Sequence, residues 1–507
     1  MVNDQFDLCV VGTGPSAFFT VRAYLSKKPD ARVLVVEAGS KRIDFVESLS
    51  AKASDRQDFK LNPSYNIGKG GTSQLWHNVL APLDQEDFEE KSWVEYSGWP
   101  ISKSDLDPHY ENVSEYFDFN YDIFQKPDGF INYDIEIDRI SVDREFFEYK
   151  VFVHPQDYLR TDREFEKLEE QYSSLKLEYG TVALRFIDAS FGRSILEAWD
   201  IGSDLRKLYK ADKYVLCAGA LNTPAILLNS DGFTSEFLPW LGKGLMDHPM
   251  GNFYQFRYKN KISAKIYSGL PISKGINIKV ALKLKANLRR KLGLANSAFY
   301  LRPSFSEGFN DKTESLKNDL LTVRSKLLNF QLPLKEALSL LGNINMVAQI
   351  IQYKTGYLSG HKLTDCMFVT EQRPNKESGI FLTEEKNKYG TYNTRINWVL
   401  SESDIEEVTL AYPYIKDKLM VGNDALPTYD PNQYSWIDRL ASAAHHLGTV
   451  RMSYSGDTGC VDKNLKIHTS EDIYVCDGSV FATSGNANPT MTCMALGDRL
   501  GGYLADA

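Results

Sequence analysis

The sequence has no excess of basic residues and no long apolar run. Its formal net charge is −9, which argues against a nucleic-acid-binding surface. No run approaches the roughly 20 apolar residues that span a bilayer. The first residues carry neither a basic leader nor a cleavable apolar segment. We therefore expect a cytoplasmic protein with no transmembrane segment, no signal peptide and no nucleic-acid partner.

Cysteine is scarce, and its spacing matches no metal or redox motif. The six cysteines are scattered and none forms a CxxC pair. Cys9, Cys217 and Cys476 lie in apolar runs that are typical of buried strands. The pattern indicates free thiols in a reducing compartment. The sequence also contains no metal-ligand cluster, internal repeat or low-complexity tract, so we expect no metal site.

What the chain does have is length and an ordinary composition. A chain of 507 residues is too long for a single hydrophobic core, so two or more structural units are expected. Hydrophobic residues make up 43% and charged residues 25%, which is usual for a globular protein.

A glycine-rich turn near the N-terminus predicts a dinucleotide site. An apolar run at 8–11 predicts a strand, 18–25 a helix and 32–37 a second strand. Between the first two, Gly12 permits a tight turn and Gly14 lets a pyrophosphate approach the backbone. Pro15 and Ser16 open the helix, whose N-terminus attracts phosphates. Glu37 ends the second strand, where it can accept hydrogen bonds from a ribose diol. The turn alone does not separate NAD from FAD, and a plain strand–helix turn is the alternative.

Three further segments bear on function. At 68–78, Gly70 and Gly71 allow a second close approach of backbone to a large ligand, with a surface loop as the alternative. Near the C-terminus, 445–452 and 477–490 combine small residues with side chains that can handle a proton or a hydroxyl. Together with the N-terminal turn, these stretches suggest one active site assembled from both ends of the chain.

These motifs, in this order, resemble the glucose–methanol–choline (GMC) family of FAD-dependent oxidoreductases. The match also includes Gly98-Trp99-Pro100-Ile101, Leu216 to Pro224, Asp247-His248-Pro249 and Glu371-Gln372-Arg373-Pro374-Asn375. The order and spacing are similar to the smaller bacterial members and the pyranose-oxidase-like branch. Only about 110–175 and 255–365 lack a clear counterpart.

The resemblance implies an α/β fold with a Rossmann-type FAD-binding domain of discontinuous segments. These would be 1–110, 176–255 and 440–507. An α+β substrate-binding domain with a large antiparallel sheet would take 111–175 and 256–439. From the residues themselves, leucines at helical spacing predict helices within 313–355. These helices are either ordinary parts of the substrate domain or a lid or docking surface beside the active-site mouth.

The resemblance also implies which residues contact FAD. Besides the N-terminal turn and Glu37, they are Gly70, Gly71, Thr72, Ser73, Trp76, His77, Asn78, Val182, Ala218, Gly219, Asp477, Gly478, Asn488, Pro489 and Thr490. Of these, His77 is a candidate to lie over the flavin edge, because family positions just after the tryptophan approach N5. Some relatives attach FAD through a histidine two residues after the serine of this segment, and here that position is Leu75. We therefore expect non-covalent FAD.

The implied chemistry is oxidation of an alcohol group on a sugar, glycoside or other hydroxylated small molecule. His445 would take the hydroxyl proton, because a neutral histidine is a suitable base at pH 7. Asn488 would orient the oxygen, and hydride would pass to flavin N5. The electron acceptor would be oxygen, a quinone or a redox protein. His446 and His248 are expected to be structural, with His248 in a turn.

Two other functions remain open at this point. A few GMC-like proteins carry out lyase or decarboxylase chemistry on the same FAD fold without net alcohol oxidation. A binding protein that kept the cofactor site is the other alternative.

Overall fold

The structure is a computed structural model that describes residues 5–42, 65–126, 142–187, 194–262, 269–307, 312–328, 332–354, 358, 360–420, 424–428 and 440–507. Its strands are β1 (Gln5–Val11), β2 (Val33–Glu37), β3 (Phe147–Pro155), β4 (Leu175–Tyr179), β5 (Thr181–Ile187), β6 (Ile195–Asp200), β7 (Leu205–Leu216), β8 (Pro249–Ile262), β9 (Leu270–Ser273), β10 (Ile276–Leu284), β11 (Ala298–Pro303), β12 (His361–Val369), β13 (Gly379–Lys386), β14 (Tyr392–Asn397), β15 (Ala425–Pro427), β16 (Ala441–Ser442) and β17 (Ile473–Val475). Its helices are α1 (Pro15–Lys27), α2 (Lys103–Tyr116), α3 (Asp122–Gln125), α4 (Thr161–Gln171), α5 (Gly219–Leu228), α6 (Ala286–Leu292), α7 (Lys312–Leu328), α8 (Leu334–Leu341), α9 (Ile344–Lys354), α10 (Glu402–Tyr414) and α11 (Thr490–Asp506).

The first sheet is built around the N-terminal strand. Its order is β4-β2-β1-β7-β6-β5, and β17 also pairs with β7. The pairs β1–β2, β1–β7, β2–β4 and β7–β17 are parallel, and all of β2 is buried. Continuous apolar runs suit parallel strands because both faces of such a sheet are covered. Parallel strands from three distant parts of the chain therefore have their carboxyl ends at the same edge of this sheet.

The second sheet is antiparallel, with the order β15-β8-β12-β11-β10-β3. Strand β9 adds to β10 and β16 to β8, while β13 and β14 form a separate ribbon. In β10, Lys279 is partly exposed whereas Ile278 and Val280 are buried. This alternation places one set of side chains in the core and the other on the opposite face.

Close packing of α1 against α11 joins the two ends of the chain. A Cβ on Gly497 would lie 2.5 Å from the carbonyl oxygen of Ser16, and one on Gly501 would lie 2.3 Å from that of Thr20. Only glycine allows this approach of the two backbones. The start of α11 is thereby held beside the glycine-rich turn that precedes α1.

The fold class predicted from the sequence is confirmed: a Rossmann-type α/β unit assembled from discontinuous segments, and a second unit with a large antiparallel sheet. The domain boundaries stay a prediction. Strand β8 crosses the predicted boundary at 255, and β4 begins in the first sheet at Leu175. Within the described residues, no helix is long and apolar enough to cross a membrane.

Candidate active site

A large cavity lies between the carboxyl ends of the first sheet and one face of the second. Its volume is about 990 Å³, at the upper end of the range for small-molecule and cofactor sites. In an open α/β sheet, ligands bind outside the carboxyl ends of the strands. The lining includes both C-terminal stretches and the N-terminal turn, as the sequence suggested.

One end of the cavity has the features of a dinucleotide cradle. Gly12 follows β1 with a φ of +103°. The Glu37 carboxylate accepts hydrogen bonds from the backbone N–H of Thr13 (3.0 Å), the Thr13 hydroxyl (2.6 Å) and the Gly39 N–H (3.0 Å). Burial raises the pKa of Glu37 and these hydrogen bonds oppose the rise. The carboxylate is therefore held in a fixed orientation at the cavity wall.

The second glycine-rich segment, at 68–78, is hydrogen-bonded to the N-terminal turn. The Gly70 N–H donates to the Thr13 hydroxyl oxygen at 2.9 Å, and the Thr161 hydroxyl donates to the Thr13 carbonyl at 2.7 Å. A Cβ on Gly71 would lie 3.4 Å from the Gly14 Cα, so the two backbones are in contact. Thr161, at the start of α4, was not anticipated because nothing in its local sequence marks it.

Asp477 orders the opposite side of the cradle. Its carboxylate accepts from the Gly219 N–H (2.8 Å), the Thr223 hydroxyl (2.6 Å) and the Ser479 N–H (2.8 Å). Burial raises its pKa and the hydrogen bonds lower it. The side chain fixes the N-terminus of α5 against the 477–480 turn.

The backbone of this cradle is open where a pyrophosphate would approach. A Cβ added to Gly14 or Gly219 would meet no heavy atom within 4 Å, and each glycine lies at the N-terminus of a helix, α1 or α5. Helix N-termini favour phosphate groups. The residues present therefore fit the adenine dinucleotide part of FAD.

We expect substitutions at Gly12 and Gly14 to have different effects. A Cβ on Gly12 would lie 2.5 Å from the Cys217 carbonyl oxygen, so Gly12→Ala should lower the free energy of unfolding by roughly 2–5 kcal/mol. Gly14→Ala should change the stability of the cofactor-free protein by no more than about 0.5 kcal/mol. It should nevertheless weaken FAD binding about tenfold or more, because the new methyl group fills the phosphate space.

Urea unfolding of the stripped variants and titration with FAD measure the two effects separately. Unimpaired FAD binding by Gly14→Ala would show that the phosphates lie elsewhere.

At the other end of the cavity, three polar side chains form a continuous hydrogen-bonded row. Asn488 Nδ2 lies 3.0 Å from His445 Nε2, and His445 Nδ1 lies 2.8 Å from His248 Nδ1. His248 Nε2 lies 3.1 Å from the Ser484 carbonyl oxygen. The fold thus brings together His445 and Asn488, which are 43 positions apart, and adds His248.

The row fixes the tautomer of both histidines. A carbonyl oxygen only accepts, so His248 Nε2 carries the proton and donates to Ser484. Neutral His248 then accepts at Nδ1, and the donor is the Nδ1–H of His445. His445 Nε2 is left with its lone pair, which accepts from the Asn488 amide. The basic nitrogen of His445 therefore faces Asn488.

Burial keeps these histidines neutral. It lowers the pKa of His445 well below its usual value, and the neighbouring His248 and His446 lower it further. Burial also lowers the pKa of His248, which Asp247 opposes. Both assigned rings are therefore free of a second proton at neutral pH.

A buried carboxylate supports the histidine segment. Asp247 Oδ1 accepts from the N–H groups of His248 (2.6 Å), Ala443 (3.1 Å) and His445 (3.1 Å). The residue before His445, Ala444, has a φ of +63°, which is uncommon for a residue with a side chain. The carboxylate thus stabilises a strained turn that presents His445.

Gln372 stabilises the same region. Gln372 Oε1 accepts from the Asp247 N–H and from Trp398 Nε1, each at 2.8 Å. The Gln372 N–H donates to the Ser484 hydroxyl at 3.1 Å. Gln372 therefore connects the segment just before β8, which carries His248, with the loop that carries Ser484, whose carbonyl accepts from His248.

One face of the antiparallel sheet covers the rest of the cavity. Its cavity-lining side chains are Met250, His154, Lys279, Tyr300, Arg302, Met367 and Val369. Burial lowers the pKa of His154 to about 3, with smaller contributions from Lys279 and His77. None of these residues was singled out from the sequence. Strand alternation shows that they share a face, but the sequence does not show that this face meets the cavity.

Most of the predicted site residues line this cavity, including Val182, Trp76, His77, Gly478, Pro489 and Thr490. Gly70 and Asn78 are not among the lining residues. The Asn78 amide donates to the carbonyls of Pro155 (3.1 Å) and Asp157 (3.0 Å), so its side chain braces the protein. Cofactor roles for the lining residues remain a prediction.

Comparison with known protein families gives two matches. Family models described as GMC oxidoreductase match residues 174–250 and 374–497. A 2-methyl-1,2-propanediol dehydrogenase of Mycolicibacterium austroafricanum is 28% identical over 122 residues, which is 24% of this chain and 21% of that protein. The chain therefore matches about a fifth of that relative's length.

Solved structures share the fold over nearly the whole chain. A fungal aryl-alcohol oxidase aligns with a TM-score of 0.57 and 13% identity, over 100% of this chain and 99% of that one. A pyridoxine 4-oxidase of Mesorbium loti gives 0.58 and 15%, over 98% of each. A formate oxidase gives 0.58 and 15%, over 99% and 98%. At this identity the likeness shows the fold.

Proposed function

Because the chain belongs to the GMC oxidoreductases, which bind FAD, we propose that it oxidises an alcohol group on a sugar, glycoside or other hydroxylated small molecule. The observation that carries the proposal is the pair formed by His445 and Asn488, with 3.0 Å between Nε2 and Nδ2. The pair lies on the cavity wall next to the N-terminus of α11. A base and an amide donor at one point suit the removal of a hydroxyl proton.

The residues that would hold FAD lie on both sides of the cavity. The turn at Gly12–Ser16 and Glu37 would hold the adenosine and pyrophosphate, and the start of α11 would face the ring system. When bound, FAD supplies the acceptor for the hydride that leaves the carbinol carbon. The protein itself would position the alcohol, exclude water and accept the hydroxyl proton.

His445 is the proposed base. Its single Nε2 lone pair accepts from the Asn488 amide at 3.0 Å, so a bound substrate hydroxyl would replace that amide N–H and donate to Nε2. The Asn488 amide has two N–H groups, and it can donate to the substrate oxygen as negative charge develops. Because burial lowers the pKa of His445, the base is in its active form at neutral pH.

His248 is the proposed positioning residue for this base. It accepts the Nδ1–H of His445 at 2.8 Å and so keeps the proton off Nε2. A histidine that carried its single proton on Nε2 would present a donor to the substrate and could not act as the base. The sequence predicted a structural turn at His248 but did not predict this contact with His445.

We expect FAD to be bound without a covalent link. Leu75 occupies the position of the attached histidine in some relatives, and a leucine side chain cannot form that bond. Acid precipitation should release all the flavin absorbance into the supernatant. Yellow colour retained in the washed pellet would point instead to a nearby nucleophile such as His77, and His77→Ala would test that.

An anaerobic screen of sugars, glycosides and other alcohols tests the proposed function. In the dark, a true substrate should bleach the flavin absorbance of the holoenzyme. Admission of air then shows whether oxygen restores it, or whether a quinone or a redox protein is needed. If no alcohol bleaches the flavin while a substrate is cleaved or decarboxylated, the lyase or decarboxylase alternative holds instead.

A further inference from the structure

The helices α7, α8 and α9 expose an unusual concentration of large apolar side chains. In α8, Leu334, Leu338 and Leu341 lie on one side at i, i+4 and i+7, with exposed fractions of 68%, 71% and 64%. We use the term leucine face for these three leucines of α8. The same part of the chain, from 321 to 344, also exposes Leu321, Leu327, Leu332 and Ile344, which makes seven large apolar side chains in all. They account for seven of the twenty exposed large hydrophobic residues in the described chain.

The leucine face lies outside the core of these helices. Their own core is a separate small cluster of Leu316, Val347 and Ile350, with Phe305, Leu320, Leu340 and Met346 packed against it. No residue of α8 is buried. Apolar patches of this kind mark interaction sites more often than chance exposure does, so the face is available for a partner outside the described chain.

Charge distinguishes the kinds of partner. The three helices contain six basic and three acidic residues, although the chain as a whole has a net charge of −9. Glu336 pairs with Lys326 at 2.7 Å, which engages one acid and one base, and Asp319 accepts from the Ser339 hydroxyl at 2.6 Å. The segment keeps a formal charge of +3. A second copy would bring two basic helix groups together. An anionic surface would complement them.

We propose that the leucine face docks on an anionic lipid bilayer. An apolar helix face within a basic segment is the usual composition of helices that lie in the membrane interface. Tyr353, near the end of α9, lines the active-site cavity, so the docked helices would hold the cavity mouth near the bilayer. The proposal goes beyond the proposed function and does not depend on which alcohol is oxidised.

Sedimentation of the FAD-loaded enzyme with vesicles tests the proposal. Binding should be clear with vesicles of phosphatidylcholine and phosphatidylglycerol, weaker with phosphatidylcholine alone, and reduced by high salt. The triple variant Leu334→Ser, Leu338→Ser, Leu341→Ser should bind about tenfold or more weakly. The matched control, Leu205→Ser with Leu426→Ser, removes leucines that are 63% and 73% exposed elsewhere and should bind normally.

Two outcomes would overturn the proposal. Either the native enzyme does not sediment with anionic vesicles at low salt, or the triple variant sediments as the native enzyme does. Light scattering of the same samples provides the comparison for self-association. If native enzyme is a dimer that the triple variant converts to a monomer, without vesicle binding, a second copy covers the leucine face.

Discussion

Replacing His445 with alanine is expected to leave FAD bound and to slow its reduction by substrate by about 10²–10⁴-fold. The variant removes the Nε2 lone pair that faces Asn488 and the cavity, while the cofactor cradle around Gly12, Glu37 and Asp477 is unchanged. Stopped-flow absorbance under anaerobic conditions measures the reduction rate constant directly. The flavin content of the purified variant shows that the site has remained intact.

The matched control for this experiment is His468→Ala. His468 contacts the Ser453 hydroxyl at 3.3 Å and does not line the cavity, so flavin reduction should be unchanged. Near-native reduction in His445→Ala would contradict the assignment of the base. Equal losses in both variants would show that the effect comes from general destabilisation.

The pH dependence of flavin reduction in the native enzyme is a second test of His445 as the base. A histidine with the usual pKa of about 6.5 would lose roughly 90% of its basic form at pH 5.5. Burial lowers the pKa of His445 well below that value, and a lowered pKa keeps the neutral form at lower pH. Between pH 7.5 and 5.5 the reduction rate constant, measured by the same stopped-flow assay, should therefore fall by much less than the roughly tenfold expected for an unshifted histidine.

The sequence predicted the parts of this site that depend on local pattern. The strand–glycine–helix order around Gly12 and Gly14 is a property of about 30 neighbouring residues, because backbone freedom at the turn and apolar periodicity beside it are both local. The identity of His445 and Asn488 came from the family resemblance. Their contact required the fold, because the 445–452 and 477–490 stretches meet through backbone hydrogen bonds such as Gly448 N–H to Gly478 O (3.0 Å) and Val450 N–H to Ser479 O (2.8 Å).

Other parts of the site could not be predicted, for physical reasons. His248 lies 197 positions from its partner, and its surrounding Asp-His-Pro sequence is equally typical of a turn. Because Lys279 and Tyr300 alternate with core residues, the sequence shows that their side chains share one face of the sheet. It does not show what that face packs against. Helical periodicity predicted α7 to α9, but it does not distinguish leucines that pack against the protein from those that remain exposed.

Replacing His248 with leucine is expected to slow flavin reduction by about 10–100-fold, the range found when the hydrogen-bond partner that orients a metal-binding histidine is removed. Leucine cannot accept the Nδ1–H of His445, so only the Asn488 amide, which donates to Nε2, would still favour the proton on Nδ1. Part of the population would then carry it on Nε2, where it blocks transfer from the substrate. The binding of FAD should be unchanged, because His248 lies at the opposite end of the site from the dinucleotide cradle.

The variant His248→Asn separates this role from packing. Asparagine is close to leucine in size, but its amide oxygen can occupy the position of the histidine Nδ1 and accept from His445. Anaerobic stopped-flow should therefore show much faster reduction in His248→Asn than in His248→Leu. If the two variants are equally slow, His248 supports the site by filling space and not by fixing the tautomer. If both are as fast as the native enzyme, the Nδ1 contact has no part in proton transfer, and the buried surroundings of His445 are sufficient to orient it.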